Sequence, residues 1–274
     1  MEKADATQQV AAARLAPHPV LDDWYGHADR RAGFVRTLFD QGAAGYDRIN
    51  RLFSLNTGAF YRRHLLRRAG LGPGGRLLDI ATGTGLVARE ALRLTGPGGL
   101  VIGLDISAGM LAVAHRQAKL VLIQADAERI PLTDGGFDMV TMGYALRHVS
   151  DLGHAFAEFR RVLRPDGVLV LMEIARPAGR TGHALARIYL GHVVPLISRL
   201  LGGGRDAHRM MRYYWDTIEG CAPEASIIAA LKTAGFIEIR CDSELGLFKT
   251  YVARRPAAVA DASLVTRLPT SEVV

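Results

Sequence analysis

The sequence predicts an α/β, Rossmann-like fold: a mostly parallel seven-stranded sheet with helices on both faces and a helical cap. Three observations carry this. The run Leu77-Leu78-Asp79-Ile80-Ala81-Thr82-Gly83-Thr84-Gly85 reads as a buried strand, a small-residue turn and the start of a helix. A second apolar run from Leu100 to Leu104 ends in Asp105, an acidic position about twenty residues past a glycine turn that suits the hydroxyls of a ribose. Strand and helix patterns then alternate along the chain, which calls for parallel strands joined by crossover helices.

Taken in order, residues 1–30 are Ala-rich and polar, with Pro17 and Pro19, and are expected to form a loose leader with little packing. Residues 31–68 are helical by pattern. Phe34, Leu38 and Phe39 share one face, and Tyr46, Ile49, Asn50, Leu52 and Phe53 continue it after an expected break at Gly42 and Gly45. A glycine- and proline-rich turn at 70–75 feeds the first strand, Arg76–Ile80. Next come a helix over 86–94, a strand over Leu100–Asp105, a helix over Ala108–Gln117 and strands over 120–124 and 137–142. A helix over Leu152–Val162 runs into Pro165-Asp166-Gly167, read as a turn, before a strand over 168–174. Residues 178–222 form a long, mostly helical insertion; a helix over 225–234 and strands over 237–242 and 246–253 follow. The expected organisation is a leader (1–30), one domain (31–255) in which 31–70 and 178–222 form the cap, and a flexible tail (256–274).

Composition excludes several classes. Apolar residues make up 49% of the 274, ordinary for a globular protein. The longest apolar stretch, 188–201, is interrupted by His192, Pro195 and Arg199 and is no membrane span. The N-terminus carries an early Glu and Asp and no apolar core, so it does not read as a secretory signal. Cys221 and Cys241 are too few for a disulfide framework or a zinc site, and no metal is expected. The expected location is the cytoplasm, with contact at the inner face of the membrane. The net charge is +7. Its clusters, Arg62-Arg63-His64 with Arg67-Arg68, and Arg160-Arg161 with Arg164, read as solvated helix faces or as a patch for an anionic membrane surface. No aromatic–basic stripe points to nucleic acid.

The ligand site follows from the first turn. A dinucleotide fingerprint places G-x-G-x-x-G against a pyrophosphate. Here the pattern is D-x-A-x-G-x-G, led by Asp79. A carboxylate there repels a pyrophosphate and suits a cation. S-adenosyl-L-methionine, with its sulfonium and ammonium, meets that requirement, and Asp79 would pair with the ammonium directly or through water.

Read together, LLDIATGTG, GLDISAGML, QADAERIPLTDGGFD, RVLRPDG and LMEIARP resemble a class I S-adenosylmethionine-dependent methyltransferase. FDQGAAGYDRINRLFS, GYALRHVSDL, IYLGHVVPLISRLLGG and RYYWDTIEG narrow the resemblance to the ubiquinone/menaquinone biosynthesis C-methyltransferase family, over roughly residues 35–254. It implies cofactor contacts from Asp79, Ala81, Gly83, Thr84, Gly85, Asp105, Ile106, Met110, Asp126, Ala127 and Gly143. Thr84 would meet the methionine end, Asp105 the ribose, Met110 and Ala127 the adenine, Asp126 its exocyclic amine and Gly143 the sulfonium. His148, Ala145, Leu86 and Met211 stand where the family usually carries Asn, Gly, an acidic residue and Tyr.

The reaction implied is C-methylation of a quinol or phenolic small molecule, prenylated in some members. The alternatives are O- or N-methylation in secondary metabolism, or a homologue that binds the cofactor without methylating. Arg147 and His148 are the catalytic candidates. His148 would act as base with a pKa near the ordinary histidine value; otherwise it is a structural helix-entry residue. Arg147 would stabilise a phenolate; otherwise it pairs with Asp151. Tyr46, Asn50, Phe53, Tyr144, Tyr213, Tyr214 and Trp215 would wall the acceptor. Tyr189, Val193, Val194, Leu196, Ile197, Leu200 and Leu201 would line a route for an isoprenoid tail, or else pack the cap. The partners expected are a small-molecule acceptor, peripheral contact with a membrane and a second copy in a homodimer, with no nucleic acid.

Overall fold

A computed structural model describes residues 15–53, 57–200 and 204–258. Its centre is a seven-stranded sheet in the order β3-β2-β1-β4-β5-β7-β6. The strands are β1 (Arg76–Ile80), β2 (Leu100–Asp105), β3 (Val121–Gln124), β4 (Phe137–Gly143), β5 (Leu163–Ile174), β6 (Ile237–Glu244) and β7 (Phe248–Arg254). β1 to β5 pair in parallel; β7 runs antiparallel to both β5 and β6. A final hairpin explains this reversal, because Leu245 and Gly246, both at positive φ, join β6 directly to β7.

The period of two along each strand sorts the core into two layers. Leu78, Ile80, Val140 and Met142 face α5 (Leu152–Val162) and α9 (Glu224–Thr233), packing on Phe156, Phe159 and Leu231. Leu77, Val101, Met139 and Val170 face α2 (Gly58–Arg68) and α3 (Leu86–Thr95), packing on Leu66, Val87 and Ala91. A third cluster joins α1 (Arg31–Phe53), α4 (Ala108–Gln117) and α8 (Gly204–Glu219) through Val35, Leu38, Met110, Val113, Met210 and Tyr213. The insertion contributes α6 (Arg180–Ile188), one π-helical turn (Tyr189–Val193), α7 (Val194–Ser198) and α8.

Three expectations are corrected. The helix expected to break at Gly42 and Gly45 runs unbroken from Arg31 to Phe53. Gly42 marks a close approach instead: a Cβ there would lie 2.5 Å from the Met210 sulfur of α8. The leader is packed from residue 15 onward. The Leu15 and Pro17 carbonyls accept from the Leu152 and Ala222 amides, and His18, Tyr25 and Arg31 are buried. Residues 1–14 and 259–274 lie outside the described residues. The turn expected at 165–167 is a bulge inside β5. Pairing steps from Phe137–Leu163 to Met139–Val168, and Asp166 sits at φ 61°.

The docking of α4 on α1 depends on a missing side chain. Asp40 of α1 caps α4 by accepting from the Ser107 hydroxyl (2.6 Å) and the Gly109 amide (2.8 Å). A Cβ on Gly109 would lie 2.9 Å from the Asp40 carbonyl oxygen. Alanine is the better helix former by about 1 kcal/mol. Gly109→Ala is nonetheless expected to lower stability by about 1–3 kcal/mol through overpacking, read from urea unfolding.

Candidate active site

The cavity opens at the carboxyl ends of β1, β2 and β4, where open α/β sheets hold ligands. It encloses about 760 Å³, part of it open to solvent. Ala81, Asp105, Ile106, Asp126, Ala127 and Gly143 line its sheet side; Phe39 and Tyr46 of α1, Tyr214 of α8, and His148 close the other.

The turn after β1 is held open by backbone geometry. Ala81 (φ 52°) and Tyr144 (φ 61°) carry positive φ just past β1 and β4, a conformation that costs a non-glycine residue free energy and marks functional turns. Gly83 (φ +57°) has no atom within 4 Å of where a Cβ would stand. Its amide donates to Asp105 Oδ2 (2.8 Å), and the Ser107 amide donates to Oδ1 (2.8 Å). Burial nevertheless raises the Asp105 carboxyl from 3.8 to about 6. Asp79 is buried with its oxygens accepting from Thr82 and Thr141 hydroxyls, both at 2.7 Å. Burial raises it likewise to about 6.

Several expected residues stand elsewhere. Asp79 does not line the cavity; a carboxylate ending a buried strand is satisfied by neighbouring hydroxyls instead. Thr84 and Gly85 also lie behind the turn, where the buried Thr84 hydroxyl donates to Asp47 of α1. Met110 belongs to the apolar layer between α1 and α4. Asn50 accepts from Arg62 (3.1 Å), whose guanidinium lies over the Tyr144 ring at 5.9 Å. The Phe53 side chain lies outside the described residues. Trp215 turns away, against Gly191 and Ala186, since consecutive helix residues point about 100° apart. Of the supposed tail route, Tyr189, Leu196 and Leu200 face solvent and Val194 is buried in the cap. Leu201 lies outside the described residues.

Arg147 neither touches the cavity nor pairs with Asp151, which caps α5. It is fully buried, donating to Glu173 (2.5 Å) and Thr217 (3.1 Å), and lies 4.5 Å from the Tyr214 ring centroid. Tyr214 in turn shares a 3.0 Å hydrogen bond with Tyr46. His148 is stacked on Tyr213 (5.4 Å between ring centres) and edged by Phe39 and Tyr214. Both of its ring nitrogens are buried without a partner. Burial, then the charges of Arg147, His18 and Arg31, hold it well below the ordinary histidine value. The ring is neutral at physiological pH, which corrects the expectation of a titrating base.

The sequence reading missed Phe39 and Glu128 as cavity residues and Arg31 as support. Glu128 accepts from the Ser150 and Asp151 amides. Arg31 donates to the carbonyls of Val149 (2.9 Å) and His18 (3.0 Å). Phe39 carried a signal in its helical face; Arg31 and Glu128 had none beyond charge.

Residues 26–249 match the model of the ubiE/COQ5 methyltransferase family. A demethylmenaquinone methyltransferase of Mycobacterium sp. (strain KMS) is 34% identical over 212 residues, covering 77% of this chain and 89% of that protein. The ubiquinone/menaquinone biosynthesis C-methyltransferase UbiE of Hahella chejuensis is 34% identical over 184 residues, 65% of this chain and 74% of that protein. Among solved structures, a SAM-dependent methyltransferase from Aquifex aeolicus superposes with TM-score 0.56 at 18% identity, over 76% of this chain and 97% of that one. The [4+2]-cyclase SpnF superposes with TM-score 0.50 at 18% identity, over 73% of this chain and 81% of that one. The shared fold alone therefore does not select a reaction.

The raised carboxyl of Asp105 gives a pH test with a definite sign. The native state holds that proton up to about pH 6, whereas the unfolded chain loses it near 3.8. Its ionisation therefore subtracts stability as pH rises through that window. Asp105→Asn is expected to stabilise the unligated protein at pH 8 by about 1 kcal/mol, after allowing for one lost amide hydrogen bond. The gain should shrink as pH falls from 6 towards 4, as thermal unfolding at several pH values would register.

Proposed function

The chain belongs to the ubiE/COQ5 methyltransferase family, and from that membership we propose that it methylates a ring carbon of a quinol or phenol, prenylated in its natural form. It is an S-adenosylmethionine-dependent methyltransferase acting on a small-molecule acceptor. The observation that carries the finer reading is the partnerless neutral imidazole of His148, facing an aromatic-walled cavity beside the end of β4.

The cavity suits the cofactor. Asp105 retains lone pairs for two ribose hydroxyls. Ile106 and Ala127 offer apolar flanks to the adenine, and Asp126 faces its amine. Gly143 leaves the end of β4 bare, where a Cβ would stand 3.1 Å from Val87 Cγ2. Bound there, the cofactor would supply an electrophilic methyl and leave as a neutral thioether; the ring carbon that takes the methyl would give up its own hydrogen as the one proton released in all, and the hydroxyl proton lent to His148 would return to the oxygen as the ring regains aromaticity. His148 accepts the ring-hydroxyl proton through one nitrogen, which makes the neighbouring carbon nucleophilic. Arg147 acts through Tyr214, its buried positive charge orienting that ring and favouring negative charge beyond it. Phe39 and Tyr46 wall the acceptor ring so that its hydroxyl meets the edge of the imidazole, where the ring nitrogens lie.

A second reading, O-methylation, draws on the same contact, since the activated oxygen is itself a nucleophile. Incubation with demethylmenaquinol and methyl-labelled cofactor separates them, because carbon NMR distinguishes a C-methyl from an O-methyl product. The C-methyl product is expected; no turnover would overturn the proposal. His148→Ala should lower kcat by about 10²-fold or more while cofactor affinity stays parental. Because His148 is already neutral, the parental profile should show no histidine-type limb near pH 6.5. Asp105→Ala should weaken cofactor binding at least tenfold, about 1.4 kcal/mol, by calorimetry.

A further inference from the structure

The basic clusters conspicuous in the sequence are largely neutralised in the fold. Arg63 pairs with Glu90, Arg68 with Asp242, Arg161 with Glu158 and Asp134, and Arg164 with Asp138. The excess lies elsewhere. Between Glu173 and Asp206 there is no acidic residue, whereas Arg176, Arg180, Arg187, Arg199 and Arg205 all fall there. That segment carries +5 of a chain total of +7. Arg176 reaches Glu219 at 3.4 Å; Arg180, Arg187 and Arg199 are exposed.

The same segment holds an apolar ridge. Leu185 (68% exposed), Ile188 (56%), Tyr189 (45%), Leu196 (53%) and Leu200 (72%) project into solvent. Leu185, Ile188, Tyr189 and Leu196 lie along the continuous α6, π-turn and α7 rod, and Leu200 follows just past its end. These are five of the eleven large apolar side chains most exposed among the described residues. Ala186, Val194 and Ser198 face inward, so the ridge is the outer side of a docked helix.

We propose that this ridge, with its flanking arginines, is a docking surface for an anionic lipid bilayer, on which the protein lies without crossing. The combination of an apolar stripe, an interfacial tyrosine and arginines without any acid is that of a helix lying in a membrane interface. No helix among the described residues is long and apolar enough to span. A second copy of the chain fits less well, because a two-fold contact would set this arginine-bearing patch against an identical patch of the same sign. The ridge also communicates with the cavity through one helix. Trp215 of α8 packs 3.2 Å from the position of a Cβ on Gly191 of the π-turn, and the preceding residue, Tyr214, lines the cavity. The proposal goes beyond the acceptor assignment and does not depend on it.

Co-sedimentation of the full-length protein with phosphatidylcholine vesicles, with and without phosphatidylglycerol, tests it. The parent should bind the anionic vesicles at least about tenfold more tightly, and added salt should weaken that binding. Leu185→Gln with Ile188→Gln should reduce it at least about tenfold, with parental cofactor affinity by calorimetry as the check on folding. Arg187→Gln with Arg199→Gln should abolish the preference for phosphatidylglycerol and leave turnover of a short-chain, water-soluble quinol unchanged. Equal binding to both vesicles, or a ridge variant that binds like the parent, would overturn the proposal. So would a parent dimer that the ridge substitutions dissociate, with no lipid binding. Failure to turn over any quinol would sink the acceptor assignment alone and leave the vesicle result standing.

Discussion

Between β1 and β4 the chain reverses the direction in which it lays down strands, and the site depends on that reversal. From β1 the sheet grows one way through β2 and β3; from β4 it grows the other way through β5 and β7. The loops leaving β1 and β4 diverge and leave a crevice between them. Burial on the wall of this crevice for Asp105, and behind it for Asp79, raises both carboxyls to about 6. Asp105 carries the cost of that burial on the cavity wall, whereas Asp79 carries it behind the turn, held by two threonine hydroxyls.

The acceptor side follows a different logic. Its wall consists of rings backed by one buried ion pair. Glu173 of β5 accepts from the Leu146 amide and from Arg147, and so fixes the loop that carries His148. Removing either partner would strand a charge in the core. Arg147 thus determines where the neighbouring rings stand without reaching the cavity.

The sheet was legible because its signals are local. Apolar runs bounded by glycine turns set β1 and β2 to the residue. Errors arose where a distant partner decided the outcome. Gly42 reads as a helix breaker until Met210 packs over it. Pro165-Asp166-Gly167 reads as a chain turn until β4 pairs on both sides of it. At the site, residues next to the glycine turn were found by motif. Yet the contacts of Asp79, Thr84 and Met110 depend on side-chain direction, which motif spacing does not give. Arg31, more than a hundred residues from the loop it braces, left no trace in spacing.

The packed strap at residues 15–30 bears on what counts as the minimal folding unit. The family match begins at residue 26, but among the described residues packing is present from Leu15, whose carbonyl closes on α5. His18 of this strap accepts from Arg31 at the start of α1, and both act electrostatically on His148, so the strap backs the cavity wall that carries His148. A protein trimmed to the matched boundary would keep every signature motif and lose part of its active-site masonry. Domain limits drawn by homology and domain limits drawn by burial therefore differ here, and expression or fusion at the amino terminus has to respect the second.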